Sequence, residues 1–260
     1  MANALLTRSS LSTLNHQLST STMARFYLPP DAWQTATLTG DEAKHLTQVL
    51  RIRAGETVTV FDGSGRRASA EVLATSRDHV SLRIGETHAT APLSPAITLA
   101  QAIPKGKNMD LIVQKAVELG VACIQPLVTS NTIVHPGEGK PDKWRRTALE
   151  ACKQCGQDTL PHIADPLPFD RWLASLTKTD SLRLVASLAP GARPFRETLH
   201  AYPDTSAATM LIGPEGDFTS AEIAAATAAG FLPVTLGSII LRVETATLFC
   251  LSALRYEFAR

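Results

Sequence analysis

Two short glycine-bearing turns near the C-terminal end follow apolar segments and offer main-chain groups to a ligand. One is Gly213-Pro214-Glu215-Gly216 and the other is Gly237-Ser238. Glycine lets the backbone approach a ligand closely, and proline fixes a turn without needing a donor. Such turns suit a flat, mostly neutral ligand. The spacing alone favours a plainer interpretation, an ordinary strand-to-helix loop, because the full dinucleotide fingerprint is missing.

Each turn is positioned by a strand before it and a helix after it. The apolar pattern predicts strands over Met210–Ile212 and Leu232–Leu236. Thr219 and Glu222 have the spacing of a capping box, which predicts the start of the first helix. A second helix is predicted from about Thr245. We therefore expect both turns at strand ends, close together.

A β-α-β pattern precedes these turns. Strands are predicted over Ile97–Ile103 and Val121–Val128, with an amphipathic helix over Met109–Leu119 between them. This alternation predicts an α/β fold with a parallel sheet. Lys105 and Lys107 follow the first strand, where open parallel sheets bind ligands, and so suit phosphate groups. A simple lysine-bearing loop is the alternative.

The composition limits the number of domains and the kinds of binding that are expected. The chain has 260 residues, 44% hydrophobic and 19% charged, enough for one large or two modest domains. The net charge of +1 does not indicate a nucleic-acid binder, so any RNA affinity must come from local patches. Cys152 and Cys155 have no second pair to complete a zinc site, so no metal is expected and both are interpreted as packed small side chains.

Two segments carry a family resemblance. "LIGPEGDFTSAEI" and "LGSIILRVETA" together resemble the C-terminal signatures of the small-subunit ribosomal RNA uridine-N3 methyltransferases of the SPOUT superfamily. The resemblance implies an α/β domain with a deep trefoil knot, S-adenosylmethionine as cofactor, 16S ribosomal RNA as substrate, and a homodimer. It also implies a set of cofactor-binding residues: Leu188, Ile212, Gly213, Pro214, Glu215, Gly216, Leu236, Gly237, Ser238, Leu241, Thr245 and Ala246.

The N-terminal part is predicted to be a small β-rich domain. A short helix is predicted over Asp41–Leu50, with Leu46, Val49 and Leu50 on one face, and a hairpin over residues 57–73. This part resembles the PUA-like domain of the same family. The implied organisation is an extension over residues 1–24, a PUA-like domain over residues 25–90 and a SPOUT methyltransferase domain over residues 91–260.

Basic residues are the candidates for RNA contact under this resemblance: Arg25, His45, Arg51, Arg53, Arg66, Lys105, Lys107 and Lys115. From the sequence alone a solvated, charge-balanced surface is the alternative. His45 is equally well interpreted as a structural histidine. Lys115 with Glu118 also has the spacing of a surface ion pair.

The implied chemistry concerns uracil N3, which carries a proton at neutral pH and becomes nucleophilic when that proton is shared or lost. Arg242 is the candidate that stabilises the developing uracil anion. Glu244 either orients Arg242 or handles the proton. As an alternative, Glu244 is a helix N-terminal carboxylate that complements the dipole.

Departures from the family pattern keep other functions open. Asn131, Gln157 and Ile239 occupy positions where arginine is frequent, and Ser238 stands where proline is frequent. One alternative is a catalytically impaired RNA-binding or ribosome-assembly protein. The other is a SPOUT enzyme that methylates a ribose 2′-hydroxyl or another base.

Residues Met1 to Thr22 are rich in Ser, Thr and Leu and contain Arg8. We expect a disordered extension, since "MARFYLPP" from Met23 resembles the usual family start. An organellar transit peptide is the alternative. The expected location is the cytoplasm, with no membrane segment.

Overall fold

The chain divides into two units, each with its own sheet. The computed structural model describes residues 23–134, 137, 139–177 and 181–259, so the predicted disorder of the first 22 residues lies outside the described residues. The first unit comprises the described residues up to Phe61 together with Arg67–His88. The second comprises Asp62–Arg66 together with the described residues from Ala89 onward. The predicted domain boundaries remain predictions.

The first unit is built around a five-stranded sheet. Its strands are β1 (Arg25–Tyr27), β2 (Thr37–Thr39), β3 (Thr57–Phe61), β4 (Arg66–Thr75) and β5 (His79–Ala89), in the order β1-β3-β4-β5-β2. β3 and β4 are antiparallel, with Val58 opposite Ala70 and Val60 opposite Ala68. All four side chains are buried, since alternate residues of a strand share a face. The predicted hairpin is confirmed.

The helix predicted over Asp41–Leu50 is present in two parts. Helix α1 (Gly40–Lys44) continues as a π-helical turn over His45–Val49. Leu46 is fully buried, whereas Val49 is 67% exposed and Leu50 is 43% exposed. The prediction that these three residues share one face is therefore wrong. The amide of Leu50 bonds to the carbonyl of His45, and this wider turn changes the angular step per residue.

The second unit is built around an eight-stranded sheet whose paired strands are parallel. The strands are β6 (Ala96–Ala102), β7 (Cys123–Val128), β8 (His162–Ile163), β9 (Leu167–Pro168), β10 (Leu182–Ala186), β11 (Arg193–Pro194), β12 (Ala207–Ile212) and β13 (Leu232–Thr235). The order is β11-β13-β10-β12-β6-β7-β8, and β9 also pairs with β7. The predicted α/β fold is confirmed.

Six helices accompany this sheet in the described residues: α2 (Asn108–Glu118), α3 (Lys140–Cys155), α4 (Phe169–Ser175), α5 (Phe195–His200), α6 (Ser220–Ala228) and α7 (Val243–Phe258). The predicted capping box is confirmed at the start of α6, where Thr219 and Glu222 bond reciprocally. Helix α7 begins at Val243, two residues before the predicted start. No helix in the described residues is both long and apolar enough to cross a membrane.

Helix α3 carries basic side chains that are largely paired with acidic ones. Lys143 bonds to Asp110, and Arg145 bonds to Asp142 at 2.8 Å. Cys152 is buried and Cys155 is exposed, and neither forms a disulfide within the described residues. The interpretation of two packed cysteines therefore holds for Cys152 alone, because Cys155 lies at the solvated end of the helix.

The strand order places the ends of four strands side by side. β13, β10, β12 and β6 are consecutive neighbours, and in a parallel sheet their carboxyl ends lie at one edge. Ala186 pairs with Val234, Val185 with Leu211, and Ile212 with Gln101. The loops that leave these strands therefore start close together, which is the usual location of a ligand site in open α/β sheets.

Candidate functional site

A cavity of about 480 Å³ lies in the second unit, lined by residues that follow the carboxyl ends of β10, β12 and β13. Asn108, at the start of α2, also lines it. The cavity contains most of the residues predicted to bind the cofactor: Leu188, Ile212, Gly213, Pro214, Glu215, Leu236, Gly237, Leu241 and Ala246. The expectation that the two turns lie close together is therefore confirmed.

Gly216, Ser238 and Thr245, which belong to the same predicted set, do not line the cavity. Ser238 and Thr245 are exposed. Thr245 follows Glu244 in α7, and successive helical residues face different directions. Gly216 has another role, because its carbonyl accepts a hydrogen bond of 2.9 Å from the Asn131 side chain.

Backbone shape at the two turns depends on glycine. Gly237 has a φ of +124°, which strongly favours a residue without a side chain. At Gly213 the restriction is space, since an added Cβ would lie 3.1 Å from Asp217 Oδ1 and 3.2 Å from the Phe218 ring. Both glycines stand out in the sequence. The structure shows that Gly237 is needed for its backbone angle and Gly213 for lack of space around a Cβ.

Asn131 ties a neighbouring loop to the first turn. Its Nδ2 donates to the carbonyls of Gly216 and Asp217, both at 2.9 Å. The sequence shows Asn131 only as a position where an arginine is frequent. Of the other departures, the Gln157 amide donates to the carbonyl of Val117, and Ile239 lines the cavity while 75% exposed.

Glu222 also holds the loop that contains Ser130 and Asn131. Its carboxylate accepts hydrogen bonds from the Ser130 amide at 2.8 Å and from the Thr219 amide at 2.8 Å. Burial by itself raises the pKa of this carboxyl, but the bonds from Ser130 and Thr219 outweigh burial and hold the pKa below its ordinary value of 4.5. Glu222 is thus a buried carboxylate that is ionised at neutral pH.

We expect Glu222→Gln to lower the free energy of unfolding by about 1–2 kcal/mol at pH 7, because an amide replaces a charged acceptor. The folded pKa is depressed, so the stabilisation is present above the unfolded pKa and is lost as pH falls through the folded pKa. Urea unfolding should therefore show a wild-type advantage that shrinks below about pH 4.5. Glu197→Gln, an exposed change in α5, is the control; equal stability of wild type and Glu222→Gln at pH 7 would contradict the prediction.

Both predicted catalytic residues line the cavity. Arg242 precedes α7 as its N-cap residue, and Glu244 lies in the first turn of that helix. Among the described residues, Glu244 bonds to Asn108 Nδ2 at 3.3 Å and makes no hydrogen bond or ion pair with Arg242. Of its two proposed roles, orienting Arg242 is therefore not supported by this geometry.

Several lining residues are missed by the sequence prediction: Asn108, Ala186, Ser187, Asp217, Ile239, Ile240 and Val243. Each of them lies at the end of a parallel strand, in the loop beyond one, or at the start of the helix that follows. The rule that ligands bind at the carboxyl ends of parallel strands predicts residues in these positions. Asn108 also lies directly after the two lysines that the sequence singles out.

The predicted RNA-binding residues differ in their surroundings. In the first unit, Arg51 and Arg53 are exposed, whereas the guanidinium of Arg25 lies 4.9 Å from the centre of the Phe61 ring. His45 packs edge-on against Phe26, with ring centres 5.9 Å apart. That contact favours the structural interpretation of His45.

In the second unit, Lys105 and Lys107 are exposed in the loop between β6 and α2. The amide of Lys105 donates to Glu215 Oε1 at 2.9 Å, so this loop contacts the first turn. Lys115 instead bonds to Glu118 at 2.8 Å, as the surface-pair alternative expects. Arg66 pairs with Asp62 at 3.0 Å.

The chain is similar to proteins of known family. The sequence matches the RNA methyltransferase domain family over residues 91–255 and the RNA methyltransferase PUA domain family over residues 38–85. It is 33% identical over 214 residues to ribosomal RNA small subunit methyltransferase E of Synechocystis sp., covering 82% of this chain and 70% of that protein. The protein of the same name from Bacillus subtilis is 29% identical over 231 residues, covering 86% of this chain and 90% of that protein.

A solved structure is also similar. It is a ribosomal RNA small subunit methyltransferase E from Neisseria gonorrhoeae bound to S-adenosyl methionine, with a TM-score of 0.81 and 34% identity. The match covers 90% of this chain and 97% of that one. The chain therefore belongs to the RNA methyltransferase family and, within it, to the ribosomal RNA small subunit methyltransferase E proteins.

Proposed function

We propose that this enzyme uses S-adenosylmethionine to methylate N3 of a specific uridine in the 16S ribosomal RNA of the small subunit. The observation that carries the proposal is that Arg242 and Glu244 line the same cavity as the two glycine turns. A cation and a carboxylate are thereby placed beside the predicted cofactor loops. Family membership supports methyl transfer to ribosomal RNA, and the N3 position rests on the resemblance and on this pair of side chains.

The cavity fits a cofactor of this kind. Its volume of about 480 Å³ lies within the roughly 300–1,000 Å³ of small-molecule sites. The walls are mostly apolar, with Leu188, Leu236 and Leu241 among them, while the two turns supply backbone donors and acceptors. When bound, S-adenosylmethionine supplies a methyl carbon already activated by its sulfonium charge.

Glu244 accepts the uracil N3 proton, which leaves the nitrogen lone pair available. Arg242 donates hydrogen bonds to a uracil carbonyl oxygen, where the negative charge develops. Arg242 is exposed, and it makes no ion pair with Glu244 among the described residues, so its guanidinium is available to a base entering from solvent. N3 lies on the Watson–Crick edge, so the target uridine must be unpaired or flipped out.

RNA contact is proposed for the exposed basic residues of both units. Arg51 and Arg53 in a PUA-like domain over residues 25–90, and Lys105 and Lys107 in a methyltransferase domain over residues 91–260, have side chains that reach solvent. Such side chains bind phosphates with a strong dependence on salt. Arg25, Arg66 and Lys115 already have the partners described above and contribute less.

The trefoil knot remains part of the proposal. Its support is the path of the chain after β12, which is a neighbour of both β10 and β6. The next strand, β13, lies on the far side of β10, and α7 then returns to pack against α2 and β12. A knotted C-terminal segment has to return past strands that the chain has already formed, as α7 does here.

A homodimer is also proposed, with the cofactor loops at the interface. Large apolar side chains are exposed at the cavity and along α7: Leu188, Ile239, Ile240, Phe249 and Tyr256. Apolar surface next to a binding site is typical of an interaction surface. We expect a dimer in analytical ultracentrifugation and a shift to monomer in Ile240→Asp; a monomeric wild type would contradict the proposal.

Asn131→Ala is expected to weaken the binding of S-adenosylmethionine about 5- to 10-fold, because two hydrogen bonds that hold the first turn are lost. The measurement is Kd by titration calorimetry. Gln154→Ala, an exposed amide on α3, is the control. An unchanged Kd in Asn131→Ala would show that the loop is held without this side chain.

The proposed function is tested by incubating the protein with S-adenosylmethionine that carries a labelled methyl group. The acceptors are unmodified small ribosomal subunits and naked 16S ribosomal RNA, and the nucleosides are then analysed. Label in 3-methyluridine is the expected result, and comparing the two acceptors shows whether subunit assembly is required.

Other outcomes would favour the alternatives. Label in a ribose 2′-O-methyl nucleoside or another methylated base would overturn the N3 assignment but keep the enzyme class. Binding of S-adenosylmethionine without transfer to either acceptor would favour an RNA-binding or assembly protein that has lost its chemistry.

A further inference from the structure

The carboxylate of Glu244 is held by a side chain from a distant part of the sequence. Asn108 is half-buried, lines the cavity, and donates from Nδ2 to Glu244 Oε2 at 3.3 Å. The distance is long for such a bond, as is common for catalytic groups before substrate binds. Among the described residues, Asn108 is the one partner of this carboxylate, and the second oxygen, Oε1, has none.

The backbone that presents Asn108 is fixed on both sides. Before it, the amide of Lys105 donates to Glu215 Oε1 at 2.9 Å, which ties the loop to the first glycine turn. After it, Met109 is buried, and the amide of Asp110 bonds to the carbonyl of Lys107 at 3.0 Å. Asn108 therefore has a defined position at the edge of the cavity.

The helix that carries Glu244 is fixed independently. One turn further along α7, the hydroxyl of Thr247 donates to Gln101 Oε1 at 2.7 Å, and both residues are fully buried. This bond anchors α7 to the end of β6, the strand that leads into the Asn108 loop. Other contacts hold the backbone of the Asn108 loop and that of α7. The bond from Asn108 to Glu244 therefore acts on the orientation of the Glu244 side chain.

We propose that Asn108 is a positioning residue that orients the Glu244 carboxylate for proton acceptance. The proposal rests on the proposed function, in which Glu244 takes the N3 proton. A neutral amide can hold one carboxylate oxygen and leave the negative charge in place. A lysine or arginine in the same position would cancel that charge. Oε1 then accepts the proton in a fixed direction, and part of the entropic cost of alignment is met before the substrate arrives.

The test compares Asn108→Ala and Asn108→Asp with wild type and with Gln114→Ala, which removes an exposed amide from the same helix. Methyl transfer to small ribosomal subunits is measured at steady state and under single-turnover conditions from pH 5 to pH 9, with Kd for S-adenosylmethionine and thermal unfolding of each variant. For Asn108→Ala we expect kcat to fall about 10- to 100-fold, with Kd and the KM for RNA within about threefold of wild type. Gln114→Ala should match wild type.

Asn108→Asp gives a result that a purely structural role would not produce. It keeps the size of the side chain but places a second carboxylate beside Glu244, which disfavours ionisation of the pair. The acidic limb of the pH–rate profile should therefore move to higher pH by about one unit or more. The rate should recover toward the wild-type value at the alkaline end.

Two results would overturn the proposal. One is a kcat within twofold of wild type in Asn108→Ala together with an unmoved acidic limb in Asn108→Asp. The other is a loss of rate in both variants that follows weaker cofactor binding or lower thermal stability, again with an unmoved limb. Failure of the proposed function is separate, because it is detected in the wild type as the absence of 3-methyluridine.

Discussion

Arg242→Ala is expected to lower kcat for methyl transfer by about 10²–10³-fold, with little change in the Kd for S-adenosylmethionine. The reason is that Arg242 lines the cavity, yet among the described residues its guanidinium forms no ion pair with Glu244. In the proposed mechanism its charge stabilises the uracil anion that exists only as N3 loses its proton. Steady-state transfer to small ribosomal subunits, together with calorimetric Kd values, measures both quantities.

The companion change is Glu244→Gln, which keeps the size of the side chain but removes the proposed proton acceptor. We expect a loss of about 10²–10⁴-fold in kcat, within the range for general base catalysis. Arg171→Ala, an exposed change in α4, is the control and should retain full activity. If Glu244→Gln were fully active while Arg242→Ala was not, Glu244 would be a helix N-terminal carboxylate and not the base.

Gly237→Ala is expected to weaken S-adenosylmethionine binding at least tenfold, which corresponds to about 1.4 kcal/mol. At a φ of +124° an alanine has room for its Cβ, because no atom lies within 4 Å of the built position. The cost is backbone strain of about 1–3 kcal/mol, which the turn relieves by shifting the segment that lines the cavity. Titration calorimetry measures the effect.

Gly230→Ala is the matched control for this change. Gly230 also has a positive φ, +89°, and also has open space around a built Cβ. It follows α6 and does not line the cavity. We expect Gly230→Ala to lower stability and leave Kd unchanged. Equal losses of affinity in the two variants would show that the effect of Gly237→Ala is general destabilisation.

Local patterns in the sequence predicted the elements of this fold well. The β3–β4 hairpin, the capping box at Thr219 and the helix between β6 and β7 all follow from contacts between residues close in the chain. The observed boundaries of helices and strands differ from the predicted ones by a few residues where no local signal marks them. Helix α7, for example, begins at Val243, two residues before the predicted start at about Thr245.

The membership of the candidate site was also partly predictable. The glycine turns, Arg242 and Glu244 are found from a resemblance carried by short motifs, and Gly213, Gly237, Arg242 and Glu244 do line one cavity. The resemblance did not separate Gly213, which lines the cavity, from Gly216, which bonds to Asn131. Both are glycines in the same turn, and only the fold shows which neighbour each one meets.

By itself, then, the sequence determined that the chain is an α/β protein with a β-rich N-terminal part, and which two turns and which charged pair to examine. The fold class and the two turns depend on side-chain period and on residues near one another in the chain, whereas the charged pair comes from the family resemblance. The tertiary structure alone decided which strand ends are neighbours, and so brought Asn108 to Glu244 across 136 residues. Contacts of that kind are set by the order of parallel strands in the sheet, and hydrophobic periodicity contains no information about that order.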